Sequence, residues 1–258
     1  MPVTRWDGGR VDVEDSVAMS RGVTGAVLRD GFLKDIRLLT LGLVRVRGNS
    51  LHLGRIELLR FGRARVSRNR VEWPIEGGLF AGAPGGHLHI EATAGRVAAT
   101  VEGYRPLLPR PIYMVTQLPI HHLVTRLHLL RVRGRQPAPG VPAEPTKRIA
   151  AAAIDIGFCA TLAAVSGRRR RVPALLGIAI TYHVACWSIS GRTLGGMVMG
   201  QRLVSVDGSR PTVGQALVRL AALPLSALRL RAIHDEAAGT DVVASPPSPK
   251  GGGVRGGG

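Results

Sequence analysis

The chain has 258 residues, a formal net charge of +18, 45% hydrophobic and 4% aromatic residues, and two cysteines. That length leaves room for two units, and the charge invites a nucleic-acid reading, since clustered cations neutralise phosphates. Against it, 32 of the 35 basic residues are arginine amid abundant Ala, Gly and Pro, a pattern of coding bias, and the aromatics on which single strands stack are scarce. Nucleic acid is therefore set aside in favour of an anionic lipid surface, which accounts for the same charge.

Residues 1–15 carry Asp7, Asp12, Glu14 and Asp15 without an apolar run, which is no secretory signal and places the first unit in the cytoplasm. From Ile36 to Val101 short apolar or alternating runs predict strands over 36–46, 51–59, 64–73, 87–92 and 97–101, with turns at Gly48-Asn49 and Ala94-Gly95. In the fourth run Leu88, Ile90 and Ala92 share one face and His87, His89 and Glu91 the other. Glu76 to Gly86 reads as a glycine-rich mobile turn, without the lysine ending of a phosphate loop, and Tyr104 to Tyr113 as an extended proline-rich connector. From Thr116 the period changes, and Leu123, Leu127 and Leu130 predict an amphipathic helix with His121, His122, Arg126 and Arg131 on its other side. His87 with His89, or His121 with His122, could begin a metal shell, but no spaced carboxylate or cysteine set completes one. No metal, no cofactor and no catalytic set is expected.

Residues 133–147 are rich in Pro and Gly and read as a semi-extended spacer. Beyond it lie two apolar stretches, Ile149–Ser166 and Val172–Ser190, 18 and 19 residues long, separated by a turn that contains Arg168 to Arg171. A spanning helix needs roughly 17 to 25 apolar residues, so both are read as short membrane spans. Cys159 and Cys186 fall inside them as packing residues. Asp155 lies near the middle of the first, and an ionisable group at that depth is a functional candidate. Its local partners on the second stretch are Thr181, Tyr182 and His183; Arg148, seven residues away, is about two helical turns off and better placed for Asp235. The carboxylate is then either a polar clasp between helices or an ion or proton site. Two spans enclose no pathway, so conduction needs an oligomer, whose contact Gly157 and Gly177 would permit.

The stretch Ala216 to Ile233 contains Arg219, Arg229 and Arg231 and is broken by Pro224, leaving nine uncharged residues from Leu220 to Leu228. That is too short to cross, so an interfacial or re-entrant helix with snorkelling arginines is expected. Leu203–Val206 and Thr240–Val243 are β-type runs that can pair only on one side of the membrane. Arginine and lysine flanks count eight inside against four in the turn between the spans, which puts that side in the cytoplasm. Residues 245–258 read as a disordered tail.

Arg148 and Asp155 in Lys-Arg-Ile-Ala-Ala-Ala-Ala-Ile-Asp, the run Gly191 to Gly208, Pro211 to Leu220, and Asp235 in His-Asp-Glu-Ala-Ala-Gly-Thr resemble the RDD family of bacterial membrane proteins. The resemblance covers about residues 146–244. It implies a multi-pass plasma-membrane protein, with Arg148, Asp155 and Asp235 as the motif residues and transport as the usual suggestion.

The expected class is thus α+β. An antiparallel β-rich domain ending in an amphipathic helix (1–132) is followed by the spacer and by a helical membrane module (148–244) of two spans plus an interfacial or re-entrant helix. The function expected is an accessory, scaffold or sensory membrane protein, not an enzyme, with an oligomeric ion or small-solute transporter as the alternative. The expected partners are the bilayer, anionic headgroups, and a second copy or another membrane protein.

Overall fold

A computed structural model describes residues 3–19, 21–134, 138–165, 170–229 and 233–245. Most of the turn between the two apolar stretches and all but the first residue of the tail lie outside the described residues. The chain divides into two compact units, Met1–Gln136 and Pro137–Gly258.

In the first unit an antiparallel sheet runs β1 (Val3–Asp7), β2 (Arg10–Ala18), β10 (Arg96–Pro106), β9 (Gly86–Thr93), β7 (Arg70–Gly77), β5 (Ile56–Phe61), β4 (Ser50–Leu53) and β3 (Val44–Arg47). Two short strands join off this path: β6 (Arg65–Val66) on β7, and β8 (Ala81–Ala83) on β10. Period-two geometry sends Val11, Val13, Asp15 and Val17 to one face, and Val97, Ala99 and Val101 pair alongside Val17, Asp15 and Val13. Over that face lie α1 (Gly25–Leu39) and α3 (Gln117–Arg133); α2 (Arg110–Val115) precedes α3. Phe32 joins helix to sheet, its ring 5.1 Å from Trp73, 6.4 Å from Phe61 and 5.4 Å from His128.

Several sequence expectations change here. The run 36–46 is the end of α1, a turn, and β3; Leu28, Phe32 and Ile36 recur every four residues and bury one helix face, so the helical period wins over the apolar run. The runs 51–59 and 64–73 are each split into two strands by a turn. The glycine-rich segment supplies the end of β7 and all of β8, and the proline-rich connector contains the start of α2, with Pro111 in its first turn where a missing N–H costs nothing. α3 is not two-faced: every residue from Thr125 to Leu130 is buried, Arg126 and His128 included. His89, on the strand face opposite Leu88 and Ile90, is buried too.

A charged cluster joins the two helices. The buried Asp35 of α1 receives Arg131 Nε at 2.9 Å and faces His128 Nδ1 at 3.0 Å. Burial alone would raise the Asp35 carboxyl, but the hydrogen bonds from His128 and Arg131, with their charges, outweigh it and hold it below the usual range. A depressed carboxyl contributes stability that is present above its unfolded value and lost as pH falls through its folded one. Asp35→Asn should therefore cost about 1 to 3 kcal/mol at neutral pH and flatten the loss of stability below about pH 4. Trp73 fluorescence reports on the same packed face. An acid limb identical to that of the parent would remove Asp35 from the fold's pH dependence.

The second unit holds α4 (Pro145–Ala164), α5 (Arg171–Ile189), α6 (Leu194–Val198), β11 (Gln201–Ser205), α7 (Val213–Arg229), α8 (Ile233–Ala238) and β12 (Thr240–Ala244). β11 and β12 pair antiparallel, Leu203 opposite Val242. The spacer's second half is not a free connector: Pro142 bridges Val243, Ala143 N–H donates to Val242 O, and Ala138 packs with Val204 and Val243. α7 runs through Pro224 as one helix. Among the described residues one helix, Arg171–Ile189, is long and apolar enough to cross a membrane; α4 does not reach that standard.

Candidate functional site

Asp155 is buried on α4, and two donors converge on one of its oxygens: Tyr182 Oη of α5 and the backbone N–H of Gly195 on α6, both at 2.8 Å. The Tyr182 hydroxyl also accepts Leu194 N–H at 2.7 Å, which closes a small circuit around the carboxylate. α6 comes close enough for this because Gly195 has no side chain. A β-carbon there would sit 2.1 Å from Ala151 O. Of the three partners read from sequence, Tyr182 alone bonds Asp155. Thr181 is exposed, and His183 Nδ1 lies 2.8 Å from the Ala179 carbonyl of its own helix. Gly157 and Gly177 face open space within the chain.

The second cluster is centred on Asp235 of α8. Arg148 from the first turn of α4 and Arg219 from α7 each bond one of its oxygens, and Arg219 also donates to Thr240 Oγ1 at 3.0 Å. Arg219 lies under the indole of Trp187, its guanidinium carbon 5.1 Å from the ring centroid. His234 Nδ1 is 2.8 Å from Ser226 Oγ. Gln215 is fully buried and donates to Ser205 Oγ at 3.2 Å and to Ala238 O at 2.9 Å. Arg148 meets Asp235 as expected. Arg219 does not snorkel outward but points into the unit, where a second cation shares the carboxylate.

Five elements thereby meet at one end: the start of α4, the strands β11 and β12, the start of α7 and the end of α8. α7 leaves that end at Gln215, and the chain is back beside it at Ala238, so α7 and α8 form an out-and-back hairpin.

The burial pattern of these helices is inverted relative to a water-soluble core. α4 buries Ala151, Asp155, Cys159 and Ala163 while Ile149, Ile156 and Leu162 are exposed. α7 buries Gln215, Ala216, Arg219, Ala222 and Ser226 and exposes Val213, Leu217, Leu225 and Leu228. On α5, Val172, Leu176 and Ile180 are exposed, and Trp187 is its one buried side chain.

Residues 172–242 match the RDD family. The match is consistent with an RDD family protein and supports a membrane protein of that family; the N-terminal region matches no family. No curated protein and no solved structure matches the chain. The RDD match takes in α5 from its second residue, β11, the α7–α8 hairpin with Asp235 and the first three residues of β12, but begins after Arg148 and Asp155. What connects those two residues to the matched segment is geometry: Arg148 binds the matched segment's Asp235, and Asp155 binds its Tyr182 and Gly195.

Proposed function

We propose that the protein is an integral membrane scaffold that anchors a β-rich cytoplasmic unit at the plasma membrane without catalysing a reaction. The observation that carries this reading is the inverted burial of α4 and α7. In water, exposing Ile, Leu and Val while burying Asp, Arg and Gln forfeits apolar burial and desolvates polar groups. In hydrocarbon the same pattern is favourable, because small and polar residues mediate helix contacts and apolar ones face lipid.

In this reading α4 and α5 are the two spans. α4 carries Lys147, Arg148 and Asp155, but Lys147 at its start can extend toward headgroups while Arg148 and Asp155 are met by partners within the unit. The paired strands lie on the cytoplasmic side together with the Arg148–Asp235–Arg219 cluster, and the α7–α8 hairpin enters the bilayer and returns. Asp155 acts as a clasp, since the donors that reach it belong to the protein and fix α5 and α6 against α4.

The test is reconstitution into vesicles with parallel measurements of ion flux and thermal unfolding. The scaffold reading expects flux no greater than that of protein-free vesicles. It expects Asp155→Asn, which keeps an acceptor oxygen, to lose about 1 kcal/mol, and Asp155→Leu, which strands the Gly195 N–H and the Tyr182 hydroxyl, about 2 to 3. A cation or proton flux that Asp155→Asn abolishes would replace the scaffold with a transporter.

A further inference from the structure

The first unit carries an apolar tip at one end of its sheet. Val44 of β3 pairs with Leu53 of β4, and Leu53 pairs with Ile56 of β5, so the turn before β3 and the turn between β4 and β5 lie at the same end. Both turns present large apolar side chains to solvent: Leu41 is 91% exposed, Leu43 66%, Ile56 51% and Leu53 45%. Leu38, on the last turn of α1, adds to them. Leu41 has a φ of 53° and is the only non-glycine residue with positive φ among the described residues. A turn that needed only to reverse the chain would favour Gly or Asn at that position. Keeping a leucine there, fully outward, is strain without a packing return inside the unit.

The surroundings of the tip are cationic. A cavity of about 620 Å³ between α1 and β3 is lined by Leu33, Lys34, Arg37, Arg45, Val46 and Arg47. Arg55 sits in the β4–β5 turn, and the sequence from Ile36 to Ile56 contains no acidic residue. The nearest acids are engaged elsewhere: Asp35 with Arg131 and His128, and Glu57 with Arg60 at 3.5 Å. Exposed leucines ringed by cations match an anionic bilayer surface, with apolar groups reaching the acyl boundary and the arginines and lysine meeting phosphates. A protein partner would need an acidic rim around an apolar pocket; a bilayer offers both without further design, and the anchoring proposed above holds one within reach.

We infer that the Leu41–Leu43 and Leu53–Ile56 turns, with the basic hollow beside them, form a peripheral docking site for anionic phospholipid. This rests on the membrane reading, and the two are separated by different readouts. The full chain carrying Cys159→Ala and Cys186→Ala is given Leu41→Cys or, at the opposite end of the β3–β4 hairpin, Asn49→Cys. Each is labelled with an environment-sensitive fluorophore and reconstituted into vesicles of phosphatidylcholine alone or mixed with phosphatidylglycerol, with a quencher attached to the lipid. The expected result is loss of most of the emission at position 41 in the mixed vesicles and none at position 49. Arg37→Glu with Arg45→Glu should restore the emission at 41. Emission at 41 as strong as at 49 in both lipids, or ready cross-linking of two position-41 thiols showing that a second copy covers the tip, overturns the proposal. An alkaline carbonate wash reads the anchoring: a chain that stays with the vesicles while position 41 is wet leaves the scaffold standing without the tip. A chain that is washed off after quenching at 41 leaves the tip standing without the scaffold.

Discussion

Asp235→Ala should be the most damaging single substitution in the helical unit, costing about 3 to 5 kcal/mol, because it removes the one carboxylate that two arginines share. The two cations are not equivalent. Arg148 keeps part of its side chain in solvent, whereas the Arg219 side chain is only 7% exposed, held between Trp187, Thr240 and the lost acid. A guanidinium does not deprotonate under ordinary conditions, so Arg219 must either stay charged without its partner or drag α7 out of place. Asp235→Asn should be nearly as harmful, since an amide oxygen accepts hydrogen bonds without neutralising either charge. Arg219→Met should cost less than Asp235→Ala, because the Arg148–Asp235 pair survives it. Combining Arg219→Met with Asp235→Ala should recover part of the loss, the non-additivity expected of two side chains in one salt-bridge network. Thermal unfolding of the detergent-purified chain measures all four. Strict additivity of the double variant would mean that the two side chains act separately.

What the sequence made legible in this unit was what depends on neighbours along the chain. The apolar run that became α5 needed no partner to be recognised. The β-type runs at 203–206 and 240–243 carried enough pattern to predict their pairing, which the structure has with Leu203 opposite Val242. Arg148 was steered to Asp235 by length, since two helical turns separate it from Asp155. Arg219 was misread because a linear reading registers the cost of a charge in an apolar helix but not the side chain that offsets it. A signal was present: Gln215, Arg219, Ala222 and Ser226 recur at helical spacing and form a stripe of polar and small residues, and such a stripe on a helix that also carries exposed leucines points inward in lipid. Gly195 left no such trace, because a close approach of backbones depends on how α4 and α6 meet. In the first unit the strands that alternate cleanly, 87–92 and 97–101, were found with their turn. β2 was missed since Asp12, Glu14 and Asp15 hide the row Val11, Val13, Val17, and Asp15 occupies a core-facing position there by meeting His122 Nδ1 at 2.8 Å.

Gly195→Ala should disrupt the helical unit with the smallest chemical change available to it, one methyl group. The added β-carbon would lie 2.1 Å from Ala151 O, 2.7 Å from its carbonyl carbon and 2.9 Å from its Cα. These are backbone atoms inside α4, so no rotamer change relieves the overlap, and α6 must move away. Movement lengthens the Gly195 N–H bond to Asp155 and pulls on the Tyr182 hydroxyl, which holds Asp155 and Leu194 at once. Overpacking of this kind costs about 1 to 3 kcal/mol, and a buried N–H left without its acceptor costs about as much again. The expected loss is therefore about 3 kcal/mol or more, read as a fall in thermal stability. Gly157→Ala is the matched control: it lies two residues from Asp155 on the same helix, meets nothing within 4 Å, and should be neutral or slightly stabilising through better helix propensity. Equal stability of the two variants would mean that α6 is not pressed against α4, and the clasp at Asp155 would lose its geometric basis.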